Sequence, residues 1–218
     1  MERGERELRQ RMIEAFGRLA TLGLGPTSAA SLAVRHAPGL LVTPADAAEG
    51  PLAPHDVVQL DAEGCFAAGH RPAAEWRLHQ TLLAGRGDIA AVLQCQSPAA
   101  TALACLEERL PAFHPRVAIA GGHDVPIAAY AGFATAELGA RVLDVVGHRR
   151  ACLMAHHGLV VLAGDVDGAV RLAREVEALC GVYLAARAVR EPPLVSAAEM
   201  DAALAKFDRL RDGLDALD

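Results

Sequence analysis

The chain has 218 residues, of which 52% are hydrophobic and 22% are charged, and its formal net charge is −6. This length fits one globular domain that buries about 70% of the surface of its unfolded chain, and the composition excludes a disordered protein. The negative charge argues against a nucleic-acid-binding or membrane-surface protein, because such proteins need a basic face. No apolar stretch reaches about 18 residues, so no membrane span is predicted.

The five cysteines form no C-x-x-C pair, and the N-terminal residues lack the apolar core of a secretory signal. Unpaired thiols are typical of a reducing compartment, so the expected location is the cytoplasm. We expect a single domain over residues 1–218, with its core at about 5–190 and a C-terminal helix at about 196–213.

Apolar residues at helical spacing predict a first helix over 5–22, and apolar runs then predict strands at 32–35 and 39–44. Two short stretches at 57–61 and 65–68 flank a glycine-containing turn and predict a β-hairpin. The remaining predicted helices lie at 74–83, 98–108, 134–146, 166–190 and from 196, and the remaining predicted strands lie at 89–93, 124–127, 151–155 and 159–162.

Because strands and helices mix without strict alternation, we predict a three-layer α/β/α domain with a mixed, largely antiparallel central sheet. On pattern alone, a parallel doubly wound sheet remains the alternative.

Several short motifs follow one another in a particular order along this pattern. Thr43-Pro44 ends a strand, Glu75 lies within a Pro-x-x-Glu-Trp-x-x-His segment, Tyr130-x-Gly132 comes later, and His157-Gly158 joins two apolar strands. In order and spacing these motifs resemble the class II aldolase/adducin family over roughly residues 5–190, in particular its fuculose-phosphate aldolase members. The resemblance implies a zinc-dependent retro-aldol reaction and a homotetramer with active sites between subunits.

The resemblance implies that Glu75 is the acid/base residue, and a carboxylate suits this role because burial tunes its proton affinity. It also implies that His157 binds a metal or polarises a substrate carbonyl. His156 stands where the family has asparagine, and we include it as a third catalytic candidate. Without the resemblance, Glu75 would be a first-turn glutamate stabilised by the helix dipole, and His157 a buried histidine at a turn.

Gln94 and Gln96 occupy the two positions where the family has His-x-His. Residues two apart on a strand point to the same face, so the family motif can chelate a metal, while Cys95 points to the opposite face. Glutamine offers only a neutral amide oxygen, whereas zinc prefers imidazole and thiolate. We therefore predict no tightly bound zinc; zinc or another divalent metal with His157 as a ligand is the alternative.

The positions that correspond to the family's phosphate-binding groups also depart from its pattern. Ala73 and Ala74 replace serines and have no side-chain donor, and Asp46 adds a charge that would repel an anion. We therefore expect an unphosphorylated small carbonyl compound as substrate. The predicted substrate-binding residues are Ser28, Ser31, Thr43, Gln94 and Gln96.

Three hypotheses for function follow. The first is a divergent lyase that cleaves a carbon–carbon bond, decarboxylates or enolises its substrate, with Glu75 as acid/base and amide groups that hydrogen-bond an oxyanion. The second is a metal-dependent aldolase with altered ligands, and the third is a non-catalytic adducin-like scaffold, since a fold does not guarantee activity. We prefer the first, because the metal and phosphate groups have changed while Glu75 and His157 remain.

Overall fold

The computed structural model describes residues 2–211, which form one seven-stranded sheet with helices on both faces. The strands are β1 (Ser31–His36), β2 (Gly39–Val42), β3 (Val58–Leu60), β4 (Ala91–Cys95), β5 (Ile127–Ala128), β6 (Ala151–Met154) and β7 (Gly158–Ala163). The helices are α1 (Arg3–Gly17), α2 (Trp76–Gly85), α3 (Pro98–Cys105), α4 (Ala136–Val146), α5 (Val166–Arg187) and α6 (Ala197–Arg211).

The sheet has the strand order β3-β2-β1-β4-β7-β6-β5. Neighbouring strands are antiparallel, except that β5 and β6 run parallel. This topology confirms the three-layer α/β/α prediction with a largely antiparallel sheet and excludes the parallel doubly wound alternative. None of the helices described between residues 2 and 211 is long and apolar enough to cross a membrane.

Alternating residues of the central strands supply two separate hydrophobic cores, as the two-residue period of a strand requires. Leu93, Leu153 and Val161 belong to the core beneath α1, α3 and α5. Val92, Val160 and Leu162 belong to the core beneath α2 and α4. Cys95 lies in the first of these cores, so its thiol points away from the face that Gln94 shares with α2, as predicted.

The predicted hairpin at 57–68 is wrong. β3 pairs with β2, and residues 65–68 belong to no strand and are all exposed. Asp61 instead closes a local turn, because its side chain accepts the backbone N–H of Cys65 at 2.7 Å. The segment after this turn stays outside the sheet, and even its aromatic side chain, Phe66, is exposed.

The start of α3 is capped by another helix. Ser97 precedes α3 and is of a residue type that often caps helices, but its side chain makes no capping hydrogen bond. Glu177 of α5 instead accepts the backbone N–H groups of Ala99 and Ala100, at 2.8 and 2.9 Å. These bonds satisfy donors that a helix start leaves without an intrahelical partner, and they hold the chain after Gln96 in place.

The last helix, α6, begins with a capping box formed by Ser196 and Glu199, close to its predicted start at residue 196. The backbone N–H of Ser196 donates to the Glu199 carboxylate at 3.1 Å, and the N–H of Glu199 donates to the Ser196 hydroxyl at 3.4 Å. The predicted end of this helix, at about residue 213, lies outside the described residues.

Candidate active site

A cavity of about 470 Å³ opens where the C-terminal end of β4, the start of α2 and the turn between β6 and β7 meet. Gly158, the second residue of the His157-Gly158 motif, has φ +98°, and a β-carbon there would lie 2.6 Å from the carbonyl oxygen of Cys95. Only glycine lets the turn approach β4 this closely. Six of the predicted site residues line the cavity: Ser28, Ser31, Glu75, Gln94, Gln96 and His157.

Glu75 directly precedes α2, and its side chain is half-buried. Its two carboxylate oxygens accept the backbone N–H of Ala134 at 3.3 and 3.2 Å. Burial raises the pKa of the Glu75 carboxyl, although the Ala134 N–H and the nearby His157 partly oppose this shift. A carboxyl with a raised pKa can hold and release a proton closer to neutral pH.

His157 is fixed by the segment 130–134 that also contacts Glu75. Its Nε2 lies 2.6 Å from the carbonyl oxygen of Ala131, and its ring stacks on Tyr130 with centroids 5.5 Å apart and an interplanar angle of 3°. Because a carbonyl only accepts hydrogen bonds, Nε2 carries a proton. In the neutral ring, Nδ1 then keeps a lone pair for a substrate.

Gln94 belongs to a buried hydrogen-bonded chain. It lies opposite Ser31 in the β1–β4 ladder, and its Oε1 is 3.2 Å from the Ser31 hydroxyl oxygen. The same hydroxyl oxygen lies 2.7 Å from Nε2 of His79, a residue of α2 with no exposed surface. Burial lowers the pKa of His79 to about 3, so its ring stays neutral.

His79 was not among the predicted site residues. Its spacing in the sequence could have identified it. His79 lies four residues after Glu75, which places it one helical turn further along the same face.

Two predicted residues do not line the cavity. Thr43 is fully buried, and its hydroxyl oxygen accepts the backbone N–H of Leu32 at 3.2 Å, which ties the strand ends of β1 and β2 together. His156 is exposed, and its Nε2 lies 3.0 Å from the Glu107 carboxylate. The turn that directs His157 into the cavity directs the His156 side chain elsewhere.

Arg71 also lines the cavity, although it was not among the predicted site residues. Its side chain is exposed, and within residues 2–211 no hydrogen bond or ion pair holds it. Its position in the sequence, two residues before Ala73, could have identified it. A guanidinium can bind an anion where the serine hydroxyl groups of the family pattern are missing. Asp46, expected to repel an anion, does not line the cavity. Because Arg71 lines the cavity and Asp46 does not, the cavity should repel an anion less than predicted.

The residues of the cavity do not fit a tightly bound zinc ion. They offer one imidazole, one carboxylate and two amides, and Nε2 of His157 and Oε1 of Gln94 already make internal hydrogen bonds. Within the described part of the chain, no group of three or more His, Cys, Asp or Glu side chains is placed to hold a metal. Amide oxygens are poor substitutes for the imidazoles that zinc prefers.

Comparisons with known proteins agree with this fold. Residues 10–184 match the family model for the Class II Aldolase and Adducin N-terminal domain. The chain is 42% identical to the 5-methylthioribulose-1-phosphate/5-deoxyribulose-1-phosphate aldolase of Rhodospirillum rubrum, over 94% of this chain and 93% of the relative. It is 35% identical to the L-fuculose phosphate aldolase of Escherichia coli K12, over 95% and 96% of the two chains.

Among solved structures, an L-fuculose 1-phosphate aldolase superposes with a TM-score of 0.88 at 31% identity, over 93% of this chain and 96% of that one. A putative aldolase/epimerase/decarboxylase of Escherichia coli, YgbL, has a TM-score of 0.81 at 24% identity, a likeness of fold alone. The family match covers most of the chain and the identities extend over nearly its whole length. The chain therefore belongs to the class II aldolase and adducin N-terminal domain family.

Proposed function

We propose that this protein is a carbon–carbon lyase of the aldolase type that acts on a small hydroxycarbonyl compound without tightly bound zinc. The observation that carries the proposal is the convergence of Glu75, His157, Gln94 and Gln96 on one cavity. The relatives named above are aldolases, which favours an enzyme over a scaffold.

His157 and Glu75 supply the two proton transfers of a retro-aldol cleavage. Nδ1 of the neutral His157 ring takes the proton of the substrate hydroxyl group, the carbon–carbon bond breaks, and an aldehyde leaves. The other fragment remains as an enolate, and protonated Glu75 returns a proton to its carbon. The resulting imidazolium and carboxylate attract each other, and transfer of the proton from His157 to Glu75 restores both groups.

Gln94 and Gln96 stabilise the enolate oxygen. Preorganised amide N–H groups around a developing oxyanion lower the activation barrier. Loss of one such donor lowers kcat about 10²–10³-fold. The alternative of a divalent metal that polarises the same oxygen is disfavoured by the donor set described above.

The expectation of an unphosphorylated substrate finds no support in the relatives, whose printed names specify sugar phosphates. Arg71 gives the cavity a positive charge where Ala73 and Ala74 have no side-chain donor. We therefore propose a small anionic hydroxycarbonyl compound, with sugar phosphates as the first class to test.

We also propose that the protein is a cytoplasmic homotetramer. Phe133, which lines the cavity, is 70% exposed, and the neighbouring Tyr130 is 54% exposed. Exposed aromatic side chains beside a cavity favour a contact with a second copy of the chain. Light scattering of the purified protein should give the mass of four chains, and a monomer mass would contradict the assembly.

Proton exchange tests the chemistry without knowledge of the aldehyde partner. The protein is incubated in D₂O, with a chelator, with dihydroxyacetone or its phosphate, and loss of the methylene proton signal is followed by NMR. Exchange should persist with the chelator and fall about 100-fold or more in Glu75→Gln. Glu14→Gln on the outer face of α1 is the control and should match the wild type.

Each other outcome has a definite meaning. Exchange that vanishes with the chelator would assign the protein to the metal-dependent hypothesis. Equal exchange by the wild type and Glu75→Gln would remove Glu75 from the reaction. A wild type that exchanges neither compound, while binding both, would support the scaffold hypothesis.

A further inference from the structure

The hydrogen bonds around Gln94 determine which end of its amide faces the cavity. One amide atom lies 3.4 Å from the backbone carbonyl oxygen of Ala29. A carbonyl oxygen can only accept, so this amide atom must be the nitrogen, and the amide oxygen must be the atom next to Ser31. The second N–H of the amide remains available, and Gln94 lines the cavity.

This orientation fixes the hydrogen positions of the two buried partners. The Ser31 hydroxyl has one proton, and it must donate that proton to Oε1 of Gln94. The hydroxyl oxygen therefore accepts from His79, so the neutral ring of His79 carries its proton on Nε2. Nδ1 of His79 has no partner within the described residues, and a bare lone pair is the less costly group to leave unpaired there.

We propose that Ser31 and His79 are positioning residues that hold the Gln94 amide with its N–H toward the cavity, as a hydrogen-bond donor to the substrate oxyanion. This inference rests on the proposed function and adds to it the orientation of the Gln94 amide. Ser31, expected from the sequence to contact substrate, acts through Gln94 instead. Because its single proton is used internally, it has none to donate to a substrate.

The same arrangement explains why Gln94 does not replace a histidine ligand. A metal would need the amide oxygen, and this oxygen already accepts the proton of the Ser31 hydroxyl. Ser31 and His79 thus turn a position that binds metal in the family pattern into a neutral hydrogen-bond donor. Rotation of the amide would place its oxygen against the Ala29 carbonyl oxygen and lose that hydrogen bond, and it would reverse the direction of the bond with Ser31.

The tautomer of His79 is the first test, and it needs no substrate. Long-range ¹H–¹⁵N NMR of the full chain labelled at its nine histidines distinguishes the two ring nitrogens, and His79→Gln identifies the His79 signal. We expect a proton on Nε2, a bare Nδ1, and the same pattern from pH 8 to pH 5. A proton on Nδ1 would overturn the inference, because Ser31 would then have to donate to His79 and could not orient Gln94.

A double-mutant cycle is the second test, with dihydroxyacetone phosphate exchange as the assay. Gln94→Met should lower kcat about 10²-fold or more, and Ser31→Ala should lower kcat about tenfold with a smaller change in KM. If Ser31 acts through Gln94, Ser31→Ala should change kcat less than about twofold in the Gln94→Met background. Ser31→Thr, which keeps the hydroxyl group, should restore most of the rate.

A control variant and the remaining outcomes separate this inference from the proposed function. Thr81→Val removes a hydroxyl from the α2 side that faces α4 and should leave kcat unchanged. Equal effects of Ser31→Ala in both backgrounds would overturn the positioning role. A Gln94→Met enzyme with wild-type kcat would overturn the donor role while leaving Glu75 chemistry intact, and an unaffected Glu75→Gln would remove the proposed function itself.

Discussion

Glu75 and Ala134 are joined by a hydrogen bond from the backbone N–H of Ala134 to both carboxylate oxygens of Glu75, at 3.3 and 3.2 Å. Ala134 has φ +60°, a conformation that costs a non-glycine residue about 1 kcal/mol or more. The preceding residues stack on and bond to His157, so one short segment fixes both of the groups that we propose transfer protons. The geometry of the site therefore depends on what holds this segment.

Arg141 of α4 is one of the groups that hold it, because its guanidinium donates to the carbonyl oxygen of Tyr130. Arg141→Gln should lower kcat about tenfold with a smaller change in unfolding free energy, since small displacements of catalytic groups are costly. Glu137→Gln is a matched control: it removes the ion pair with Arg141 and leaves the bond to Tyr130 in place. Equal kcat values for the two variants would show that this bond does not position the segment.

Glu75→Gln should stabilise the protein at neutral pH. Burial raises the pKa of Glu75 above its usual value of 4.5, so the folded state disfavours the charged form. The stability that this preference contributes is complete below about pH 4.5 and is lost as pH rises through the folded pKa. The glutamine variant has no such loss. Urea denaturation should show it to be more stable than the wild type at pH 7, with little difference at pH 4.

The opposite order at pH 7, with Glu75→Gln less stable, would show that the hydrogen bond from Ala134 outweighs burial. Such a result would leave Glu75 ionised and ready to act as a base, and would reverse the direction of the proposed proton transfers.

Arg71→Gln should separate phosphorylated from unphosphorylated ketones. The guanidinium is positioned at the cavity to pair with a substrate anion, so its loss should raise KM for dihydroxyacetone phosphate about 10- to 100-fold and leave dihydroxyacetone unaffected. Arg77→Gln is the control, because Arg77 is exposed nearby but covers the ring of Trp76 at 4.3 Å. An equal rise in KM for both ketones would show that Arg71 shapes the cavity and does not select an anion.

Gln94→His combined with Gln96→His should create a zinc site. Both positions line the cavity, and with His157 they would supply three imidazoles beside the Glu75 carboxylate. Elemental analysis after incubation with zinc and desalting should find about one zinc per chain in the double variant and well below that in the wild type. Gln80→His on the opposite side of α2 controls for an added surface histidine. Stoichiometric zinc in the wild type would overturn the proposal of zinc-free chemistry.

The fold could be predicted because the sequence patterns that determine it are local. The apolar runs that become β4 and β7, the glycine at the β6–β7 turn and the order of the motifs follow from residue type alone. The two-residue period of β4 also placed Gln94 and Cys95 on opposite faces, and Gln96, which directly follows β4, lines the same cavity as Gln94. The hairpin after β3 was predicted wrongly because a turn signal does not by itself decide whether the following residues pair, and residues 65–68 stay exposed and outside any strand.

The site could be predicted only in part, because hydrogen-bond partners are set by the tertiary structure. The hydroxyl groups of Ser31 and Thr43 look equivalent in the sequence, but one orients Gln94 and the other caps a strand end. His79 is remote in sequence from Ser31 and meets it only when α2 packs on β1. The placement of Arg71 at the cavity likewise depends on how the chain enters α2.

His79 should make the protein sensitive to mild acid. Burial lowers its pKa from 6.5 to about 3, so in this range the unfolded chain binds a proton that the folded chain does not. The stability from this residue is complete above about pH 6.5 and falls by about 1.4 kcal/mol per pH unit below it. His79→Gln keeps an N–H for Ser31 but does not titrate, so its loss of stability between pH 7 and pH 5 should be about 2 kcal/mol smaller than that of the wild type. His148→Gln is the control, because His148 is exposed. This variant should lose as much stability between pH 7 and pH 5 as the wild type does. If His79→Gln and the wild type lose stability in parallel, the ring is charged or solvated in the folded protein, and the hydrogen positions assigned around Gln94 no longer hold.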